Sequence, residues 1–186
     1  MFKLITEYFN KKPLLQQEKN DHFEQVINGS YKAQDTEIGI ELCINGQALL
    51  GNKVRVEKKM LVNGQLTAHH SAFLSDVTVN GASSLNHTQI HGEAKFRGSL
   101  EAASTTFSNT TEILSACAEL ENSTAQGIIF KKIPIKNTVQ RLSLKKNTEV
   151  HGDILFEGGH GEVLCDPTAK IHGQIIGGMR IDMLHG

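Results

Sequence analysis

"TVNGASSLNHTQIHGEAKFRG", residues 78–98, places an apolar residue two positions before a glycine three times: Val79-Asn80-Gly81, Ile90-His91-Gly92 and Phe96-Arg97-Gly98. Working outward from Val79 gives anchors at Ile27, Ile44, Val62, Val79, Phe96 and Ile113, separated by 17, 18, 17, 17 and 17 residues. "VHG" at Val150 and "IHG" at Ile171 repeat the triplet with 21 residues between them. The 37-residue gap from Ile113 to Val150 leaves room for one more anchor near Phe130 and a longer turn. A fixed period of this size is the signature of a stacked repeat, here of about nine rungs over residues 26–186.

Within a rung, small or apolar residues fall on every second position: Val62, Gly64, Leu66, Ala68, and again Phe96, Gly98, Leu100, Ala102. That period is a strand's, because successive side chains point to opposite faces. A second apolar position falls eleven residues after several anchors, at Ile38, Phe73, Ile90 and Phe107. Three short strands per turn of 17–18 residues describe an all-β, single-stranded parallel β-helix. Hairpins explain Asn-Gly pairs equally well, but they give no reason for so constant a spacing. With about 4.8 Å per step, nine rungs make a rod of roughly 40 Å.

The residue after each anchor is expected to form one outward column: Asn28, Asn45, Asn63, Asn80, Arg97, His151 and His172. Stacked amides can bond along a rod axis. Asparagine also suits bends, and that plainer reading is preferred. The glycines are read as close packing at the bends.

Composition bounds the rest. The 186 residues carry a formal net charge of −1, so the basic footprint of a nucleic-acid binder is missing and no nucleic-acid partner is expected. Aromatics make up 5% with no Trp, which suggests a narrow interior filled by aliphatic residues. Cys43, Cys117 and Cys165 are too few and too scattered for a disulfide framework and read as free thiols. Cys117 is placed in the inward column of Leu66 and Leu100.

No phosphate loop, nucleophile elbow or dinucleotide fingerprint is present. No catalytic residue, cofactor or metal ligand is therefore assigned. His70 and His87 lie one rung apart, with His69 and His91 nearby, so two imidazoles could stack and hold an ion such as Zn²⁺. No acid or thiol completes that set, and exposed loop histidines are the plainer account. His151, His160, His172 and His185 read the same way.

Residues 1–25 stand outside the repeat as a tail. Phe2, Leu4, Ile5, Tyr8 and Phe9 form an apolar face with Lys3, Lys11 and Lys12 beside it and Pro13 closing the segment. Such a helix either lies in a membrane interface or caps the first rung. Residues 14–25 read as a linker.

The strings "VINGSYKA", "LVNGQLTA", "TVNGASSL", "IHGEAKFRGSLEA" and "EVHGDILFEG" resemble the repeat of the bactofilins, polymer-forming bacterial cytoskeletal proteins. The resemblance implies a right-handed β-helix over residues 26–186 that stacks end to end into nucleotide-free filaments. It also implies a cytoplasmic location, with "MFKLITEYF" attaching to the cytoplasmic face of the inner membrane, and scaffold clients as further partners. Around residues 128–147 the pattern departs: Lys131, Lys132, Pro134, Lys136, Arg141, Lys145 and Lys146 break the glycine corner, as a basic bulge able to bind a partner.

Open rod ends expose strand edges and interior, and such ends associate head to tail. "IIGGMRIDMLHG" carries Ile175, Ile176, Ile181, Met183 and Leu184 to the C-terminus without an evident polar cap, which makes that end the expected self-association surface. The function expected is a non-enzymatic, self-assembling scaffold. The alternative is a trimeric hexapeptide-repeat acyltransferase on a left-handed β-helix. Such an enzyme uses a histidine as general base.

Overall fold

The computed structural model describes residues 23–135 and 138–183. Among them are strands and turns but no helix. Each strand pairs in parallel with the strands one turn before and after it, those of the first and last described rungs on one side only. The described residues form a β-solenoid of nine rungs, spanning residues 25–38, 42–56, 60–73, 77–90, 94–107, 111–125, 128–150, 154–171 and 175–182.

Three faces follow from the alternation read in the sequence. On the first, the column Ile27–Ile44–Val62–Val79–Phe96–Ile113–Phe130–Phe156 points inward. All but Ile27, in the first described rung, are buried. The expected anchor at Phe130 is therefore in place. On the second face the inward columns run Tyr31–Ala48–Leu66–Ser83–Leu100–Ala118–Leu142–Val163 and Ala33–Leu50–Ala68–Leu85–Ala102–Leu120–Leu144–Cys165. On the third, Ile38–Val56–Phe73–Ile90–Phe107–Ala125–Val150–Ile171 completes the core. Each buried aliphatic or Phe side chain contributes about 1.5–3 kcal/mol.

Several expectations are corrected. Val150 and Ile171 do not continue the Ile27 column; on the third face Val150 pairs with Ala125, and Ile171 with Val150. The cause is an insertion. The step from Phe130 to its partner Phe156 is 26 residues, and most of the extra residues fall between Phe130 and the strand Gln140–Lys145, after the anchor where earlier rungs place a glycine. The interior is also not purely aliphatic: Phe73, Phe96, Phe107, Phe130 and Phe156 are all fully buried. Phe96 meets Phe107 edge-on at 6.2 Å, and Phe130 stacks on Phe156 at 4.8 Å. Cys117 is exposed, and Ala118 takes the inward place beside Leu100. One residue is added at the corner before it, and a shift of one turns a side chain to the opposite face.

The two corners flanking the second face are built differently. At the first, Gly46, Gly64, Gly81 and Gly98 all have φ between +145° and +149° and lie stacked. At the second, a residue in left-handed geometry recurs in every rung from one to seven: Asp35, Lys53, His70, His87, Ser104, Asn122 and Lys146. A buried hydroxyl follows at Ser71, Thr88, Thr105, Ser123 and Thr148. Thr88 donates to the carbonyls of Ala68 and Asn86, and Ser123 to those of Ala102 and Glu121. These hydroxyls answer corner carbonyls inside the rod, where an unpaired one is costly.

Candidate functional site

The asparagines form a bonded ladder. Asn45 Nδ2 donates to Asn28 Oδ1 at 2.8 Å, Asn63 to Asn45 at 2.8 Å, and Asn80 to Asn63 at 2.7 Å. Arg97 Nη1 closes the series on Asn80 Oδ1 at 3.2 Å. The stacked-amide reading thus holds over the bend reading. His151 and His172 do not belong to this column; on the third face they lie in register with His91, Ser108 and Gln126. In that column Ser108 Oγ lies 3.3 Å from His91 Nδ1.

The expected basic bulge is largely neutralised by glutamates on adjacent rungs. Lys131 pairs with Glu157, Arg141 with Glu162, Lys145 with Glu119, and Lys146 with Glu121. The Lys131 ammonium holds the Glu157 carboxyl below its ordinary value; burial opposes this and the Lys132 amide assists. Lys136 lies outside the described residues. Two thiols are chemically quiet: burial pushes the pKa of Cys43 and of Cys165 up. Cys117 is the accessible one.

The rod's ends differ in chemistry. At the N-terminal end the inward columns finish on Ile27, Tyr31 and Ala33, all half-buried. Among the described residues, the nine-residue strand Gln25–Ala33 pairs only with Leu42–Leu50. Burial raises the pKa of the Tyr31 hydroxyl. At the C-terminal end the same columns change character. Gly177 follows Phe156, Arg180 sits on Val163, and Asp182 sits on Cys165. Arg180 Nε and Asp182 Oδ1 are 2.6 Å apart. The end expected to lack a polar cap therefore carries an ion pair over two apolar columns. Of the residues assigned to self-association there, only Ile175 lies in an inward column, following Ile154. Ile176 and Ile181 lie in the outward columns of Leu155 and Leu164, Met183 is half-buried, and Leu184 is outside the described residues. The segment assigned to membrane contact, Phe2, Leu4, Ile5, Tyr8 and Phe9, is also outside them.

Two histidine pairs are stacked. His70 and His87 lie 4.7 Å apart, as their one-rung spacing implied. His87 Nδ1 is engaged by the Asn86 side chain. His151 and His172 lie 5.3 Å apart with planes inclined by 16°. Glu149 completes this second group, which the sequence reading missed: His172 Nε2 is 3.9 Å from Glu149 Oε2. Glu149 Oε1 accepts from Lys170 Nζ at 2.9 Å. Lys170 holds the Glu149 carboxyl low, with His172 and His151 adding to the effect. The available signal was "EVHG" above "KIHG": an acid and an imidazole two apart on one strand face, and a second imidazole one rung later.

No helix among the described residues is long and apolar enough to cross a membrane. No family model, no curated protein and no solved structure matches this chain.

Proposed function

We propose that the chain is a non-enzymatic scaffold whose rods join head to tail into filaments. The carrying observation is the way the inward columns end. At one end stand Ile27, Tyr31 and Ala33; at the other stand Gly177, Arg180 and Asp182. Continuing the parallel register across a joint sets Ile27 of the next copy over Gly177, where the column lacks a side chain. Tyr31 comes over Arg180, a ring face for a guanidinium. The edge of Gln25–Ala33 that no described residue pairs supplies the backbone groups that an added strand needs. This joint assigns contact roles to Ile175 and Ile176 together with Arg180, and gives the N-terminal end an equal share. The segment 2–9 is the proposed attachment to a cytoplasmic membrane surface.

A disulfide test distinguishes the joints. In a Cys117→Ser background, Tyr31→Cys combined with Arg180→Cys should give oxidised ladders of multimers, and electron microscopy of the parent chain should show filaments. Dimers from Tyr31→Cys alone would mean that like ends meet. A compact trimer without filaments would overturn the scaffold reading and favour the transferase.

A further inference from the structure

We infer that Glu149, His151 and His172 form a surface site for a divalent transition-metal ion of the zinc class, one that clamps rung seven to rung eight. This inference is independent of whether the rods assemble.

The fold itself brings the donors together. Glu149, on the short strand Glu149–Val150, and His151, just after it, flank the buried Val150, so both project outward. Register sets Lys170 against Glu149 and Ile171 against Val150, which puts His172 directly over His151. Stacked rungs hold such a pair at about the 4.8 Å rung spacing. The three ligand atoms lie within 4.8 Å of one another. A tetrahedral ion with bonds of about 2.0–2.1 Å needs its donors roughly 3.3 Å apart. Small rotations of the exposed His151 and His172 rings cover that difference without disturbing the core.

Two imidazoles and one carboxylate are a donor set suited to zinc, with a fourth position left for water. The carboxylate is already shared in the right way. Lys170 holds Oε1 at 2.9 Å, while Oε2 faces His172. An ion can take Oε2 while Lys170 keeps the other oxygen, the kind of outer partner that fixes a ligand's orientation. The Lys170 charge opposes a dication, which limits the affinity to that of an exchangeable site. The His70–His87 stack makes a weaker claim. Among the described residues no carboxylate or thiol joins it, and Asn86 occupies His87 Nδ1.

The site's position gives it a consequence. The insertion at 131–139 lies within rung seven, and it interrupts the regular period just before Glu149 and His151. An ion bridging His151 and His172 fastens rung seven to the rung that follows that interruption. Binding to the folded chain alone then raises its stability.

The test is calorimetric titration of the full-length chain with Zn²⁺, with thermal unfolding as a second readout. One ion per chain and a higher Tm in zinc are expected. His151→Ala and His172→Asn should each weaken binding at least tenfold, and Glu149→Gln several-fold, with circular dichroism unchanged. The His70→Ala/His87→Ala variant should bind as the parent does. Failure of the parent to bind one equivalent at micromolar zinc would overturn the proposal. So would undiminished binding by a His151→Ala/His172→Asn double variant, or loss of binding in the His70/His87 variant. If the histidine variants do not fold, Glu149→Gln still decides the matter, since it preserves shape and removes only the anionic ligand.

Discussion

Gly81 lies directly on the backbone of Gly64: a Cβ at position 81 would stand 1.9 Å from the Gly64 carbonyl oxygen. Gly29, in the first described rung, shares the positive φ but has no atom of the described residues within 4 Å of a built Cβ. The two positions separate backbone strain from steric exclusion. Gly29→Ala should cost about 1–3 kcal/mol, the strain alone. Gly81→Ala should cost more than about 4 kcal/mol, because backbone must move. Urea unfolding midpoints of the two variants make the comparison.

Buried hydroxyls should give opposite signs according to their partners. Thr88 bonds two carbonyls, so Thr88→Val should destabilise by about 1 kcal/mol. Thr111 is equally buried but its Oγ1 has no partner among the described residues, so Thr111→Val should stabilise by about 1 kcal/mol. Ser83→Ala should act in the same direction as Thr111→Val, for the same reason. Thermal denaturation of the three variants reads the signs directly.

The pairing of Lys131 with Glu157 predicts an acid limb in stability. The folded Glu157 carboxyl lies below its ordinary value of 4.5, so its contribution is complete above that value and fades as pH falls through the lower folded value. The Lys131 pKa is raised, so its share is lost only as pH rises through a value above 10.5. Glu157→Gln should therefore lower stability at pH 7 by no more than about 1 kcal/mol, since the pair is partly exposed. The difference from the parent should vanish in strong acid. Protease cleavage within 131–139 should become faster in the variant.

Charge at the rod's ends should govern assembly without touching the fold. Arg180→Glu places two carboxylates on the terminal columns and should abolish filaments seen by electron microscopy, while the monomer's unfolding free energy stays within about 0.5 kcal/mol of the parent's, as for surface changes generally. Filaments unaffected by Arg180→Glu would exclude the C-terminal rung from the joint. Deleting residues 2–9 should abolish co-sedimentation with anionic vesicles. Vesicle binding that survives the deletion would remove the membrane role.

How far the sequence could be read depended on the period. From Ile27 to Phe130 the steps of 17 and 18 residues made each column legible, and the second apolar position at Ile38, Phe73, Ile90 and Phe107 located another face. Beyond Phe130 the extra residues at 131–139 broke the count. Val150 and Ile171 were then matched to the wrong face, although their apolar-His-Gly triplets resemble Ile90-His91-Gly92, which lies on the face they occupy. The Glu149 cluster was missed for another reason: the 21-residue step and the pairing of His151 with His172 were read, but the carboxylate two positions before His151 was not joined to them. Cys117 shows the local limit, where one added corner residue reversed inside and outside. The capping pair Arg180–Asp182 was visible as letters, but not as occupants of the Val163 and Cys165 columns.

The in-register columns make the length of this chain a quantised property. Excising residues 79–95 joins Thr78 to Phe96, and every inward neighbour of the lost rung then finds a substitute of the same kind: Val62 under Phe96, Leu66 under Leu100, Phe73 under Phe107. Removing one residue fewer reverses the two faces of every strand downstream until a corner absorbs the error. Whole rungs are therefore the natural currency of insertion and deletion in such a rod, each worth about 4.8 Å of reach, and single residues are not.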